Sequence, residues 1–260
     1  MFRLFQNPQN IPFPDINNKI TLIVGLNNIA HNPNISEIKS IIRSYIDNKL
    51  ILLLMPTPKD KYIQNKDTIH NIRELLDSVC FAPEEEYIKL IEDFNIEIND
   101  YNIIITPLYT NFNSKGLPAK YKYQIKKLHP DFSNIEYMQQ NLEVSMINPD
   151  NIISEFNISY KYIINHLKSD KKNIIFTIWS PVEVQEENDV LSVYSSNSLK
   201  EFIKNHQEIE SWISINNPSY SDFKIGNTSI YCLERDKETI YDYDVEGKIL
   251  YYISEIKTRN

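Results

Sequence analysis

The stretch Tyr101-Asn-Ile-Ile-Ile-Thr-Pro-Leu-Tyr-Thr110 is too apolar to lie on a surface and too short to cross a membrane. A continuous apolar run of this length reads as a strand buried on both faces, which belongs in the middle of a mostly parallel sheet. Ligands of α/β folds bind where such strands end. The loop Asn111 to Gly116 and the basic segment Lys120 to Asp131 are therefore the first places to look for a site. Comparable runs at Lys19–Leu26, Lys49–Met55 and Lys172–Trp179 supply further strands. Between the first two, Asn34-Ile-Ser-Glu37 has capping-box spacing, and Ile35, Ile38, Ile41, Ile42, Tyr45 and Ile46 mark one helical face. A right-handed parallel crossover is the default for that order.

The remaining pattern is read the same way. Thr68 to Val79 is amphipathic at helical spacing, and Pro83 followed by Glu84, Glu85 and Glu86 looks like a helix start with Tyr87, Ile88, Ile91 and Phe94 on its buried face. Tyr121 to Leu128 alternates as a strand, Leu142 to Ile147 is a short strand, and Asn148-Pro-Asp-Asn opens a helix through Leu167. Val190 to Tyr194 reads as a weak strand, and Ser198-Leu-Lys-Glu201 as a capping box opening a helix that buries Leu199, Phe202, Ile203, Ile209 and Ile213. Ser229–Leu233, Thr239–Val245 and Lys248–Ile256 suit short antiparallel strands. The expected fold class is α/β: a Rossmann-like, mostly parallel sheet flanked by helices. Residues 1–19 form an extended arm, and residues 20–260 a single α/β domain ending in an antiparallel β hairpin at about 223–257.

Composition narrows the function classes. The 260 residues are 42% hydrophobic with 4 glycines, so glycine-rich phosphate loops have no candidate. The abundance of Ile, Asn, Lys and Tyr is the bias an AT-rich genome imposes, and many of those choices carry little physical information. A formal charge of −8 argues against a broad nucleic-acid-binding surface and against adhesion to anionic lipid. Cys80 and Cys232 lie in apolar surroundings without paired spacing and read as buried thiols. No apolar core or cleavage site follows Met1-Phe-Arg-Leu-Phe, so a cytoplasmic protein with no membrane segment is expected.

The sharpest candidate site is Lys126-Lys127-Leu-His129-Pro130-Asp131: an imidazole, two ammoniums and a carboxylate suited to holding or protonating a phosphate leaving group. The bland reading is a surface turn in which proline fixes φ and aspartate caps. His31, in the loop after the first strand, would share a crevice with the loop carrying Asn111 and Asn113 if strands one and three were neighbours.

Lys127-Leu-His129-Pro130-Asp131 resembles the His-Pro motif of bacterial sialyltransferases with two facing Rossmann-like domains, and Asn157-Ile-Ser159-Tyr160, ahead of Asn173–Thr177, falls where that family carries its donor-contacting serine. The resemblance spans about Tyr101 to Thr177. It implies inverting transfer from a nucleotide-activated sugar without a metal, His129 supporting departure of the phosphate and Ser159 contacting the donor. Where the family carries an acidic base, this chain has Asn111-Phe-Asn-Ser-Lys-Gly116, so the resemblance supplies no general base.

These readings give one leading expectation: a transferase-like enzyme on a nucleotide-activated small-molecule substrate, with His129 and Asp131 catalytic. His31, Lys126, Lys127, Ser159, Asn111 and Asn113 would bind substrate, with no metal and no cofactor. An alternative from another class is a non-catalytic binding or inhibitory protein on a degenerate α/β scaffold. It would use an acidic surface, such as Glu183 to Asp189, against a basic protein partner. A third is a metal-dependent nuclease built on Asp242, Asp244 and Glu255-Ile-Lys257, against which a solvated outer hairpin is the plain explanation.

Overall fold

The computed structural model describes residues 2–5, 22–26, 51–55, 88–90, 93–98, 100–138, 144–184, 190–217, 219–234, 240–244 and 248–253. The chain divides into two compact units where the sequence reads as one domain: Met1–Ile91 with Asp236–Asn260, and Glu92–Arg235.

The first unit holds a six-stranded sheet of β1 (Phe2–Phe5), β2 (Leu22–Leu26), β3 (Ile51–Met55), β4 (Ile88–Leu90), β13 (Ile240–Asp244) and β14 (Lys248–Ile253), in the order β14-β13-β1-β2-β3-β4. β1 to β4 run parallel, as the crossover rule anticipates for β2 and β3, while β13 and β14 pair antiparallel as the expected C-terminal hairpin. Two expectations are corrected here. Phe2–Phe5, expected in an extended arm outside the domain, is a strand of the sheet between β13 and β2, and Ile88–Leu90 is a strand where the Pro83 start suggests a helix. The helices expected around 34–46 and 68–79 lie outside the described residues.

In the second unit the sheet order is β11-β12-β10-β9-β6-β5. β6 (Tyr101–Ile105), β9 (Lys172–Thr177), β10 (Ile209–Asn217) and β12 (Thr228–Glu234) are parallel; β5 (Phe94–Ile98) and β11 (Ser221–Ile225) close the edges antiparallel. Ile103, Ile104 and Ile105 face Ile174, Ile175 and Phe176 in register, and all six are fully buried, which explains why neither strand alternates in sequence. Each such side chain contributes about 1.5–3 kcal/mol on burial.

Helices α1 (Pro118–Leu128), α2 (Asp131–Asn134), α3 (Pro149–His166) and α4 (Lys200–Asn205) flank this sheet, with a short antiparallel pair, β7 (Glu136–Met138) and β8 (Val144–Met146). α3 begins where the sequence places it. Asn148 caps it through Asp150 and Asn151, the Asn151 side chain returns to the Asn148 N–H, and Pro149 sits in the first turn. Ile152, Phe156 and Ile163 form its buried stripe.

α1 overturns the expected strand at Tyr121–Leu128. Pro118 starts a helix, and Ile125 is its buried residue. Val190–Ser195 is a 3₁₀ turn rather than a strand, Phe94–Ile98 is a strand rather than a helix end, and Ile209 and Ile213 belong to β10, not α4. Ser229–Leu233 lies in β12, parallel to β10 and outside the C-terminal hairpin.

Candidate functional site

The four parallel strands of the second unit deliver their carboxyl ends to one edge. β6 continues its ladder through Thr106, whose N–H donates to Phe176 O, and Pro107, whose carbonyl accepts from Ile178 N–H. The chain then turns through two left-handed positions, Leu108 at φ 44° and Phe112 at φ 56°. A bulky residue there costs on the order of 1–3 kcal/mol and persists only where its surroundings fix it. Here both side chains are fully buried, and the Thr110 hydroxyl oxygen takes the Phe112 N–H at 3.0 Å while itself lying 2.8 Å, within donating distance, from the carbonyl oxygens of both Val193 and Ser196. The Asn197 side chain accepts from Asn111 N–H at 3.0 Å and donates to Ser180 O at 3.2 Å. The loop is thus bolted to the segment 190–197.

A second polar layer crosses the sheet just below. Thr177 on β9 pairs with Ser214 on β10, Ser214 with Cys232 on β12, and Cys232 with Ser221 on β11. Thr177 Oγ1 donates to Trp179 O and accepts from Trp212 Nε1; Asn217 Nδ2 donates to Ser214 O and Leu233 O; Thr106 Oγ1 donates to Asp93 Oδ1. Burial pushes the Cys232 thiol above its ordinary range, with Ser214, Ser180 and Ser221 opposing, so it is held as a thiol among hydroxyls. Among the described residues, aromatic rings pack beside these layers. Tyr109 and Trp179 meet edge-on at 4.8 Å, and Tyr194 contacts Trp179, Phe112 and Phe132.

His129-Pro130-Asp131 is a corner between two helices and not the exit of a strand. His129 ends α1 with its N–H on Ile125 O, and Pro130 leads into α2. Asp131, 4% exposed, accepts the Tyr194 hydroxyl at 3.0 Å on Oδ2. The His129 ring lies tilted against Tyr194 at 4.2 Å, its Nδ1 accepting from the Asp131 backbone nitrogen at 3.3 Å and lying 3.5 Å from Oδ2. Burial, then the charge of Asp131, holds the Tyr194 hydroxyl well above the usual tyrosine range, so at neutral pH it is a donor. The arrangement is an imidazole whose Nδ1 is held by the Asp131 N–H beside a buried carboxylate, with about a fifth of the imidazole side chain, 22%, reaching solvent.

Of the other residues singled out in the sequence, those described in this unit take up ordinary structural places. Lys126 and Lys127 are exposed in the last turn of α1, where cations suit the helix dipole, and Lys127 Nζ lies 4.3 Å from the Tyr123 ring centre. Ser159 is buried on the inner stripe of α3. Asn111 serves its own loop by accepting the Asn113 N–H, and Asn113 is exposed. His31 lies outside the described residues, and strands one and three, β2 and β6, are not neighbours but belong to different sheets. Asp242 and Asp244 are strand residues of β13, while Glu255 and Lys257 lie outside the described residues. Among the described residues no three His, Cys, Asp or Glu side chains are placed to hold a metal ion, and no helix is long and apolar enough to cross a membrane. Tyr194, Thr110 and Asn197 had no sequence signal, because each acts on a residue 63 or more positions away.

No protein-family model matches the sequence, and no curated protein matches it. Among solved structures the likeness is to α/β proteins. A phosphopantetheinyl hydrolase from Mycobacterium tuberculosis matches with a TM-score of 0.56 at 8% identity, covering 91% of each chain. A putative 5'-nucleotidase from Staphylococcus aureus, crystallised with alpha-ketoglutarate, matches at TM-score 0.47 and 10% identity over 95% of this chain and 52% of its own. At 8% identity what the chain shares with the hydrolase is the fold.

Proposed function

We propose that the chain is a non-catalytic binding protein on an α/β scaffold whose carboxyl edge has been turned over to structure. The observation that carries this reading is the closure of that edge in the second unit. Thr110, Thr177 and Asn197 spend their hydrogen bonds on main-chain groups and neighbouring side chains, and Tyr109, Phe112, Trp179 and Tyr194 fill the space where an α/β enzyme presents reacting groups. The negative balance of −8 favours a basic protein partner over an anionic one.

A transferase-like reading is the alternative, favoured by one observation: the His129 imidazole, partly open to solvent and oriented by Asp131, is a geometry that can hold or protonate a phosphate oxygen. In that reading a nucleotide-activated sugar is the substrate.

Thermal denaturation with CMP, UDP and their sugar conjugates separates the two. The binding-protein reading expects no nucleotide at millimolar concentration to shift Tm by more than about 1 °C. It also expects no hydrolysis of a phosphate monoester with Mg²⁺ or Mn²⁺ supplied. Stabilisation by a nucleotide that vanishes in His129→Ala, scored as the ligand-induced shift of each variant against itself, would overturn it in favour of the transferase. Metal-dependent phosphoester cleavage would overturn it in favour of a hydrolase.

A further inference from the structure

Among the described residues the second unit's sheet ends at β11, Ser221-Asp222-Phe223-Lys224-Ile225, and this edge has a symmetry that the β5 edge lacks. Ile225 pairs with Thr228 across the two-residue turn Gly226-Asn227, with Gly226 at φ 61° leading it, as tight hairpins of this kind require. Residues flanking such a turn form a hydrogen-bonded pair, and in an antiparallel ladder such pairs alternate with non-hydrogen-bonded ones. Ile225, Phe223 and Ser221 therefore turn their backbone groups toward β12. The N–H and C=O of Asp222 and Lys224 point away from it, off the edge of the sheet. Asp222, Phe223 and Lys224 are all exposed, Phe223 by 36%, and the neighbouring Tyr220 by 38%.

We propose that β11 is a self-association edge, with a second copy of this chain adding antiparallel across a two-fold axis at Phe223. In that register Asp222 of each copy lies opposite Lys224 of the other, and these are the residues whose backbone groups face outward, so each forms a hydrogen-bonded pair. Phe223 meets its own counterpart at the closer, non-hydrogen-bonded position, where aromatic pairs gain most.

Charges on an edge strand ordinarily guard against association. Here they have opposite sign and stand equally far from the centre, so they attract in one register and repel in its neighbours. A slip of two residues one way sets Asp222 against Asp222, and the other way Lys224 against Lys224. A slip of one aims the outward backbone groups at positions that cannot receive them. β5 offers no such match. Its Glu97 is engaged by Lys171 at 3.1 Å and Lys168 at 3.6 Å, and pairing about Ile96 would set Glu97 against Asn95. The self-complementary edge thus closes on itself as a dimer and does not propagate.

A five-residue strand pair is small beside standard interfaces, so association is weak, and sedimentation velocity from about 5 µM to about 500 µM at low salt is the range to search. The weight-average sedimentation coefficient of the whole chain is expected to rise toward that of a dimer. D222K and K224E, both at exposed positions and checked by circular dichroism, each weaken association tenfold or more. The double variant D222K/K224E restores the opposite-sign pairing and recovers it. A chain that stays monomeric throughout, single variants that associate like the parent, or a double variant that fails to recover would each overturn the proposal.

Discussion

The two ends of the second unit's sheet are sealed by different chemistry. At the amino end the seal is a ladder of amides. Asn95 donates to Asn102, Asn102 to Asn173 and to His166 O, and Asn173 to the carbonyls of Lys168, Lys171 and Glu208. Asn102 and Asn173 are fully buried, and the Asn173 side-chain oxygen also takes the Lys168 N–H. At the carboxyl end hydroxyls, aromatic rings and two left-handed residues perform the same task. In an α/β enzyme the first end carries stability and the second carries chemistry. Among the described residues both ends are knit by hydrogen bonds, and what distinguishes the carboxyl end is backbone strain and the His129–Asp131 corner.

The largest effect is expected at the amino end. Asn173→Ala leaves three carbonyls, the Lys168 N–H and one Asn102 amide hydrogen to find new partners in a buried place, and should cost about 3 kcal/mol or more in urea-unfolding free energy. A loss below about 1 kcal/mol would show that water enters this end and that the ladder is not a seal.

At the carboxyl end Thr110→Val keeps the shape and removes one hydroxyl, stranding the Phe112 N–H and weakening the hold on Val193 O and Ser196 O. About 2 kcal/mol of destabilisation is expected by the same urea titration. A functional edge kept open for a ligand would instead tolerate the change, with the loop's mobility rather than its stability altered. The pair of values tests directly whether the two ends are structurally equivalent.

How much of this was legible in the sequence follows from the range of the forces involved. β6 and β9 were readable because strands buried on both faces must be apolar throughout, β2 and β3 because each is a continuous apolar run, and α3 because its cap is local. α1 was misread because Lys-Tyr-Lys-Tyr alternates like a half-buried strand, while the true signal, Pro118 at the first turn, is a single residue. β10 was missed because Ile209 and Ile213 stand four apart, a helical spacing that arises by accident in a strand covered on both sides. His129 and Asp131 were singled out, since a titratable pair beside proline stands out locally. Their surroundings were not legible, because they are set by Tyr194, which reaches them only after the chain has made three further strands, β7, β8 and β9.

The smallest effect expected is at that corner, and it is best read against pH. The Tyr194 hydroxyl is a neutral donor to Asp131 in the folded chain and is held well above the ordinary tyrosine value of 10.0, first by burial and then by the Asp131 charge. Unfolding releases it to ionise at that ordinary value. Its stabilising contribution is therefore complete below pH 10 and is lost progressively as pH rises above 10 toward the raised folded value, because the unfolded chain gives up the proton first. Tyr194→Phe removes the hydrogen bond and should cost about 1–2 kcal/mol at neutral pH. The variant, having no proton to lose there, should also be less sensitive to alkali, so the difference in unfolding free energy between parent and variant should narrow between pH 10 and 11.5, values set by about one and a half units above the ordinary tyrosine range. A gap that stays constant over that span would mean that solvent reaches the phenol and that the corner is open, which is the condition a working His129–Asp131 pair needs and a structural clamp does not.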